Sequence, residues 1–239
     1  MNTIAFNGKH NVKMIAHRGV SGLKLENTIP AFEEAGRRSY YGIESDVHVT
    51  KDGKFIIFHD DDLIRLVGAH NVVEESTFDE LRAVKLKERD GSISENLYMP
   101  SLEEYLEICK KYDKQAILEL KNEMAEGRVW AIADAVNNAG WLNRTTFISF
   151  SRENLLRLRA RYKQADAQYL TEECSEEEIA FMAEKKFDAD LSWRCVTKEK
   201  VEKLRKAGLK VNCWTVNRVS VAALMQSFGV DMITTNILE

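Results

Sequence analysis

Glu44 and Asp46 stand two residues apart in the apolar run 43–49 (IESDVHV), and Glu119 and Lys121 repeat that spacing around 115–120 (QAILEL). On a strand, this spacing sets both side chains of a pair on one face. Three carboxylates with a single lysine leave surplus negative charge, which a hard divalent cation would neutralise. An all-oxygen donor set favours Mg2+ or Ca2+ over zinc. Two histidines end apolar runs of their own. His17 closes 14–17 (MIAH) and leads into Arg18-Gly19, and His59 closes 54–59 (KFIIFH) and leads into Asp60. Trp214, near the end of 210–216, suits either the core or a flat platform for a substrate. Phe150 and Trp193, also at strand ends, are read as packing. His48 shares parity with Glu44 and Asp46 but is read as a rim residue past the strand's end. His10 and His70 are read as ordinary hydrogen-bonded surface or boundary histidines.

Which elements would hold these residues follows from the hydrophobic pattern. From residue 115 onward, short apolar strands alternate with amphipathic helices. The strands fall at 115–120, 146–150, 167–170, 188–193, 210–216 and 231–235. The helical patterns include 153–162 and 198–208, the latter closed by Gly208 at a C′ position. Strands that alternate with helices imply a parallel sheet, because each parallel link needs a crossover. Earlier in the chain come strands at 14–17, 43–49 and 54–59, and a helix over 28–38 capped by Asn27. Only TKDG (50–53) separates 43–49 from 54–59, so these two runs form an antiparallel hairpin. Eight parallel strands remain, the number that closes a (β/α)8 TIM barrel. Residues 60–100 are an excursion with a capping-box helix from Thr77. A second such helix starts at Ser101 and crosses over into 115–120. The expectation is one domain over 1–239 with an added hairpin after the second strand.

A barrel changes what the charges mean. Each strand packs on one side into the barrel and on the other against helices, so it has no solvated face. Glu44, Asp46, Glu119 and Lys121 would then be costly buried charges unless they pair or bind an ion. Sites in such barrels form at the C-terminal ends of the strands, where these residues and both histidines fall.

Composition narrows the class further. An apolar content of 44% with 30% charged residues excludes a disordered chain, and a net charge of −4 with no basic block gives no footprint for nucleic acid. The sequence contains no run that reads as a signal peptide or a bilayer span. Cys109, Cys174, Cys195 and Cys213 are scattered without a CxxC pair, as expected of reduced thiols in a cytoplasmic protein. The oligomeric state is left open.

The ordered set HRG (17–19), ENT (26–28), ExDV (44–47), TKDG (50–53), HD (59–60), ExK (119–121), SF (149–150) and WTVN (214–217) resembles the glycerophosphodiester phosphodiesterase family over nearly the whole chain. The resemblance implies a TIM barrel in which Glu44, Asp46 and Glu119 hold one divalent cation. It implies that His17 and His59 act as general acid and base, that Arg18 contacts the phosphate, and that Lys121 adds positive charge beside it. Glu26 and Asn27 would shape the surroundings of the site. Leu25, the stretch after Asp60 and Asn236 depart from the family's usual residues, the last where aspartate is common. That change should bear on the closing segment and on none of the catalytic motif positions.

The implied reaction is hydrolysis of a small-molecule glycerophosphodiester to glycerol 3-phosphate and an alcohol, with a cyclic phosphate intermediate favoured. Two other readings share the fold. A lysophospholipase D-like hydrolase would need an apolar surface for an acyl chain, and no amphipathic membrane helix is evident. A non-catalytic phosphodiester-binding protein would have no use for an acid–base pair.

Overall fold

The computed structural model describes residues 2–8, 12–88, 90–93 and 97–239; His10 lies outside them. Nine strands run in chain order: β1 (Lys13–Ala16), β2 (Gly42–Val49), β3 (Phe55–Ile57), β4 (Gln115–Leu120), β5 (Thr145–Ser149), β6 (Asp166–Thr171), β7 (Asp188–Ser192), β8 (Val211–Trp214) and β9 (Met232–Thr235). Their order around the sheet is β1-β9-β8-β7-β6-β5-β4-β2, and β1 pairs with β2 to close the ring. All eight of these pairings are parallel, so the ring is a (β/α)8-type barrel.

β3 stands apart from the ring. It pairs antiparallel with β2 and matches Val47 to Ile57 and Val49 to Phe55, as the short TKDG link requires. The link closes when the Gly53 amide donates to the Thr50 carbonyl at 2.9 Å, with Gly53 at a φ of 78° that favours glycine. The Thr50 hydroxyl also donates to Asp52 at 2.7 Å.

Seven helices carry the crossovers: α1 (Ile29–Gly36), α4 (Leu102–Lys111), α5 (Glu126–Asn138), α6 (Arg152–Arg161), α7 (Glu176–Lys185), α8 (Lys198–Lys206) and α9 (Val219–Phe228). No helix follows β9 among the described residues; the segment beyond it bridges Leu238 to Ile4 near the N-terminus. The excursion between β3 and α4 holds the short helices α2 (Ile64–Val67) and α3 (Phe78–Ala83). It has its own apolar cluster, in which Phe58, Leu63, Leu81 and Met99 are fully or almost fully buried. Both expected capping boxes form, at Thr77 and Ser101. Gly208 follows the Ala207 cap of α8 with a φ of 80°, as a C′ glycine should.

One cap differs from expectation. The residue that caps α1 is Thr28, not Asn27. Asn27 has a φ of 54° and turns its side chain away from the helix toward Asp46. An asparagine tolerates this left-handed backbone better than most residues, and its amide is worth more beside a buried carboxylate than at a helix start that Thr28 already occupies.

Strand parity divides the barrel into an outer core and an inner one. Ile43 and Val47 on β2 and Ala116, Leu118 and Leu120 on β4 face the helices. The alternate residues face inward, where Ile15, Ile117, Ile148, Leu170 and Met232 plug the barrel. Two residues further along those five strands come His17, Glu119, Phe150, Glu172 and Thr234. All five line one cavity at the C-terminal mouth. A period of two therefore sets both the plug and the site above it.

Candidate active site

The cavity holds about 270 Å³ and is lined by His17, Arg18, Glu44, His59, Glu119, Phe150, Glu172, Asp190 and Trp214, among others. A second hollow adjoins it, shares His59, Glu119 and Phe150, and brings in Lys121. Sidedness follows from the sheet. Asp46 on β2 stands beside Glu119 on β4 in register, and Glu44 lies two residues earlier on the same face. One oxygen from each of Glu44, Asp46 and Glu119 lies within 4.8 Å of the others, and all three residues are buried.

Positive charge on this wall comes from two residues. Lys121 Nζ lies 2.9 Å from Glu119 Oε1 and 3.9 Å from Asp46 Oδ1. Arg18 Nε lies 3.5 Å from Asp46 Oδ2, and its backbone amide donates to Glu44 Oε2 at 2.8 Å. The Arg18 conformation depends on Gly19, whose φ is 74° and where a Cβ would sit 2.6 Å from the Ala31 carbonyl carbon. Only glycine fits the turn.

The three carboxyls titrate apart. Burial and the neighbouring Asp46 push Glu44 well above the usual carboxylate range. Burial, then Asp46, raise Glu119 to about 7 against the pull of Lys121. Burial also works against ionised Asp46, but Arg18, then Lys121 and His59, outweigh it and hold this carboxyl at about 2. Asp46 Oδ1 is nonetheless buried without a hydrogen-bond partner. An unpartnered buried carboxylate oxygen beside two acids that burial keeps from ionising is the chemistry of an oxygen-donor cation site. Glu44, Asp46 and Glu119 thus fit a hard divalent ion. The amide of Asn27 supports the set: it donates to Asp46 Oδ2 at 2.7 Å and accepts from the Ser45 hydroxyl at 3.0 Å.

The histidines reach the cavity from different directions. His17 continues β1, and its Nδ1 lies 2.7 Å from Asn236 Oδ1 just past β9. The Ser21 hydroxyl donates to the same oxygen at 3.0 Å, so Nδ1 of His17 is the donor and Nε2 is left with its lone pair, 3.9 Å from Glu44 Oε2. Burial, with Arg18 adding to it, lowers His17 to about 4. His59 arrives on the return limb of the hairpin. Its Nδ1 donates to Asp60 Oδ1 at 2.6 Å, which again leaves Nε2 free. Burial lowers His59 too, while Asp46 acts to raise it.

Several functional contacts were missed by sequence reasoning. Asn236, expected to bear on the closing segment and on none of the catalytic motif positions, touches His17 directly. The strand β9 beside β1 delivers it there. Arg65, from the altered stretch after Asp60, links two motif carboxylates: its Nε donates to Asp60 at 2.6 Å and its guanidinium to Glu26 at 2.6 Å. Glu26 in turn accepts from Arg18 at 2.7 Å. His48, expected at the rim, is fully buried inside β2, its ring 3.1 Å from Glu74 Oε1 and 3.5 Å from the His59 carbonyl. The strand ends at Val49, where its apolar run ends, so His48 lies within it, paired with Ile56 of β3.

Phe150, read as packing, is 46% exposed and lines the cavity. Its ring meets Trp214 edge-on with centroids 5.7 Å apart. Trp214 itself packs partly on the barrel plug and partly faces the cavity, and its Nε1 donates to the Asp190 carbonyl at 3.3 Å. Trp193 packs against the core away from the cavity, as expected. Asp190 and Glu172 lacked any motif, but the two-residue step beyond Leu170 would have found Glu172. Burial raises Asp190 to about 8. His70 is exposed, and all four cysteines are free thiols.

Buried acids and two histidines thus gather around a cavity of about 270 Å³ at the C-terminal mouth of a parallel (β/α)8-type barrel. The model of the glycerophosphoryl diester phosphodiesterase family matches residues 17–239. A glycerophosphodiester phosphodiesterase of Bacillus altitudinis is 28% identical over 234 residues, covering 94% of each chain. A solved glycerophosphodiester phosphodiesterase from Parabacteroides distasonis is 30% identical, with a TM-score of 0.79 over 95% of this chain and 93% of that one. A phosphodiesterase of Oleispira antarctica, solved with its product sn-glycerol-3-phosphate, shares the fold at 23% identity, with a TM-score of 0.82 over 98% and 96%. The chain belongs to the glycerophosphoryl diester phosphodiesterase family and is an enzyme of that family.

Proposed function

We propose that this enzyme, acting as one barrel domain, hydrolyses small glycerophosphodiesters to glycerol 3-phosphate and an alcohol with the help of one divalent cation, Mg2+ or Ca2+. The observation that carries the reading is the cluster of three buried carboxyls, within 4.8 Å of one another, of which Glu44 and Glu119 line the cavity that also receives His17 and His59. Glu44, Asp46 and Glu119 would hold the cation. When bound, it would supply Lewis-acid polarisation of a phosphoryl oxygen.

The protein's own groups do the rest. His17 and His59 each keep Nδ1 engaged and Nε2 free, the arrangement a proton-transfer group needs. One histidine takes the proton from the attacking hydroxyl or water, and the other delivers a proton to the departing oxygen. Arg18 and Lys121 stabilise charge that gathers on the phosphate, and Trp214 packs against the substrate. The cavity volume of about 270 Å³ suits a small diester. No helix among the described residues is long and apolar enough to cross a membrane; a cytoplasmic location is part of the proposal.

The test is a panel of glycerophosphodiesters incubated with Mg2+, Ca2+ or chelator and read as glycerol 3-phosphate. Release that depends on the cation is expected. If no diester yields glycerol 3-phosphate with either cation, the proposal is wrong.

A further inference from the structure

The cavity has a second wall of which the proposed reaction uses only Trp214. Counted around the ring, β7 lies four strands from β2, directly across the barrel from Glu44 and Asp46, and β6 lies across from β1. From this far side come Asp190 on β7, Glu172 just beyond β6 and Trp214 on β8; Phe150 follows β5 beside them. The two walls differ in charge. Arg18 and Lys121 stand with the acids of β2 and β4, whereas neither Glu172 nor Asp190 forms an ion pair among the described residues. Asp190 is only 2% exposed, and its Oδ1 has no hydrogen-bond partner although the residue lines the cavity. A buried carboxyl oxygen without a partner carries a free-energy cost that the charge of a cation brought against it would offset. The rings of Phe150 and Trp214, which line the same cavity as these carboxyls, meet edge-on. Aromatic faces backed by carboxyls are the surroundings that favour an organic cation.

We propose that Phe150, Glu172, Asp190 and Trp214 form a subsite for a cationic ammonium group carried on the alcohol half of the diester. This rests on the reaction proposed above. The phosphate would lie against Arg18 and Lys121, and the ammonium group would reach across the cavity to the acidic and aromatic wall. An ammonium group against Asp190 would stabilise the carboxylate form. A zwitterionic diester is thereby matched at both ends, and an anionic diester whose alcohol carries no charge at one only.

The experiment compares kcat/KM for glycerophosphocholine and glycerophosphoglycerol in the wild type and in Glu172→Gln, Glu172→Lys and Asp190→Asn. Melting temperatures confirm that each variant folds; Glu172 is exposed and Asp190→Asn keeps the side-chain shape. The wild type should prefer glycerophosphocholine. The preference ratio should fall by about tenfold in Asp190→Asn and invert in Glu172→Lys. Choline alone, followed by calorimetry, should bind the wild type more tightly than Glu172→Lys. Equal ratios in all four proteins, or a wild-type preference for glycerophosphoglycerol, would overturn the subsite while leaving the reaction intact. Loss of hydrolysis of both diesters in the wild type would instead overturn the reaction itself.

Discussion

Nδ1 of His17 donates to Oδ1 of Asn236 across 2.7 Å, joining residues 219 positions apart in the chain. The amide fixes the tautomer and leaves Nε2 facing Glu44, but it carries no charge to stabilise an imidazolium. His59 is held differently, by the carboxylate of Asp60 at 2.6 Å. Two histidines at one cavity thus have partners of different charge, and each partner sets how readily its ring keeps a proton.

Asn236→Ala should therefore lower kcat by about 10²-fold, the scale of a misplaced catalytic group, with little change in KM. Asn236→Asp keeps an acceptor oxygen at the same place and should recover most of the loss. Steady-state kinetics on glycerophosphocholine check both, and a matched loss in the two variants would show that orientation is not what Asn236 supplies.

Replacing either histidine by alanine should cost about 10²–10⁴-fold in kcat. The two variants should separate on a substrate whose leaving group needs no proton, such as a p-nitrophenyl diester. The variant that lacks the acid regains activity there and the variant that lacks the base does not. Near-full activity of both variants on glycerophosphocholine would sink the acid–base scheme.

Chelation should abolish turnover, and Mg2+ or Ca2+ should restore it. Glu119→Gln and Asp46→Asn should each weaken cation binding by at least about tenfold, the lower end of the effect of removing a supporting group at a metal site. Binding followed by calorimetry on the unmodified and substituted proteins tests this without reference to activity.

Cation affinity should also depend on pH with a definite sign. Glu119 is raised to about 7 and Glu44 well above its usual range, chiefly by burial, so both tend to hold protons when no ion is bound. A cation must displace those protons. Affinity should consequently weaken as pH falls below about 7 and strengthen as pH rises through it, with protons released on binding. Asp46, held at about 2, adds no pH dependence in that window. Titrations in buffers of different ionisation enthalpy would reveal the release, and affinity independent of pH from 6 to 8, a range on either side of the value of about 7 for Glu119, would refute it.

Much of this was legible in the chain before folding. Alternation of apolar strands and amphipathic helices, with one link too short for a crossover, determined eight parallel strands plus a hairpin. The two-residue spacings of Glu44 with Asp46 and of Glu119 with Lys121 determined which acids share a face, because strand parity is a local property. Burial of those acids followed once the strands closed into a ring.

What the tertiary structure alone decided is which distant residues meet. Asn236 reaches His17 only because β9 lies beside β1, and Arg65 bridges Asp60 to Glu26 only because the excursion folds back over the mouth. His48 became interior when β3 and Glu74 of the excursion packed against the end of β2, and Phe150 turned outward to Trp214 rather than into the core. Asp190 faces Glu44 and Asp46 because an eight-stranded ring sets β7 opposite β2. Sequence patterns encode the face on which a side chain lies, since that depends on neighbours one or two residues away. Partners across a closed barrel depend on ring order and register, which no local spacing contains.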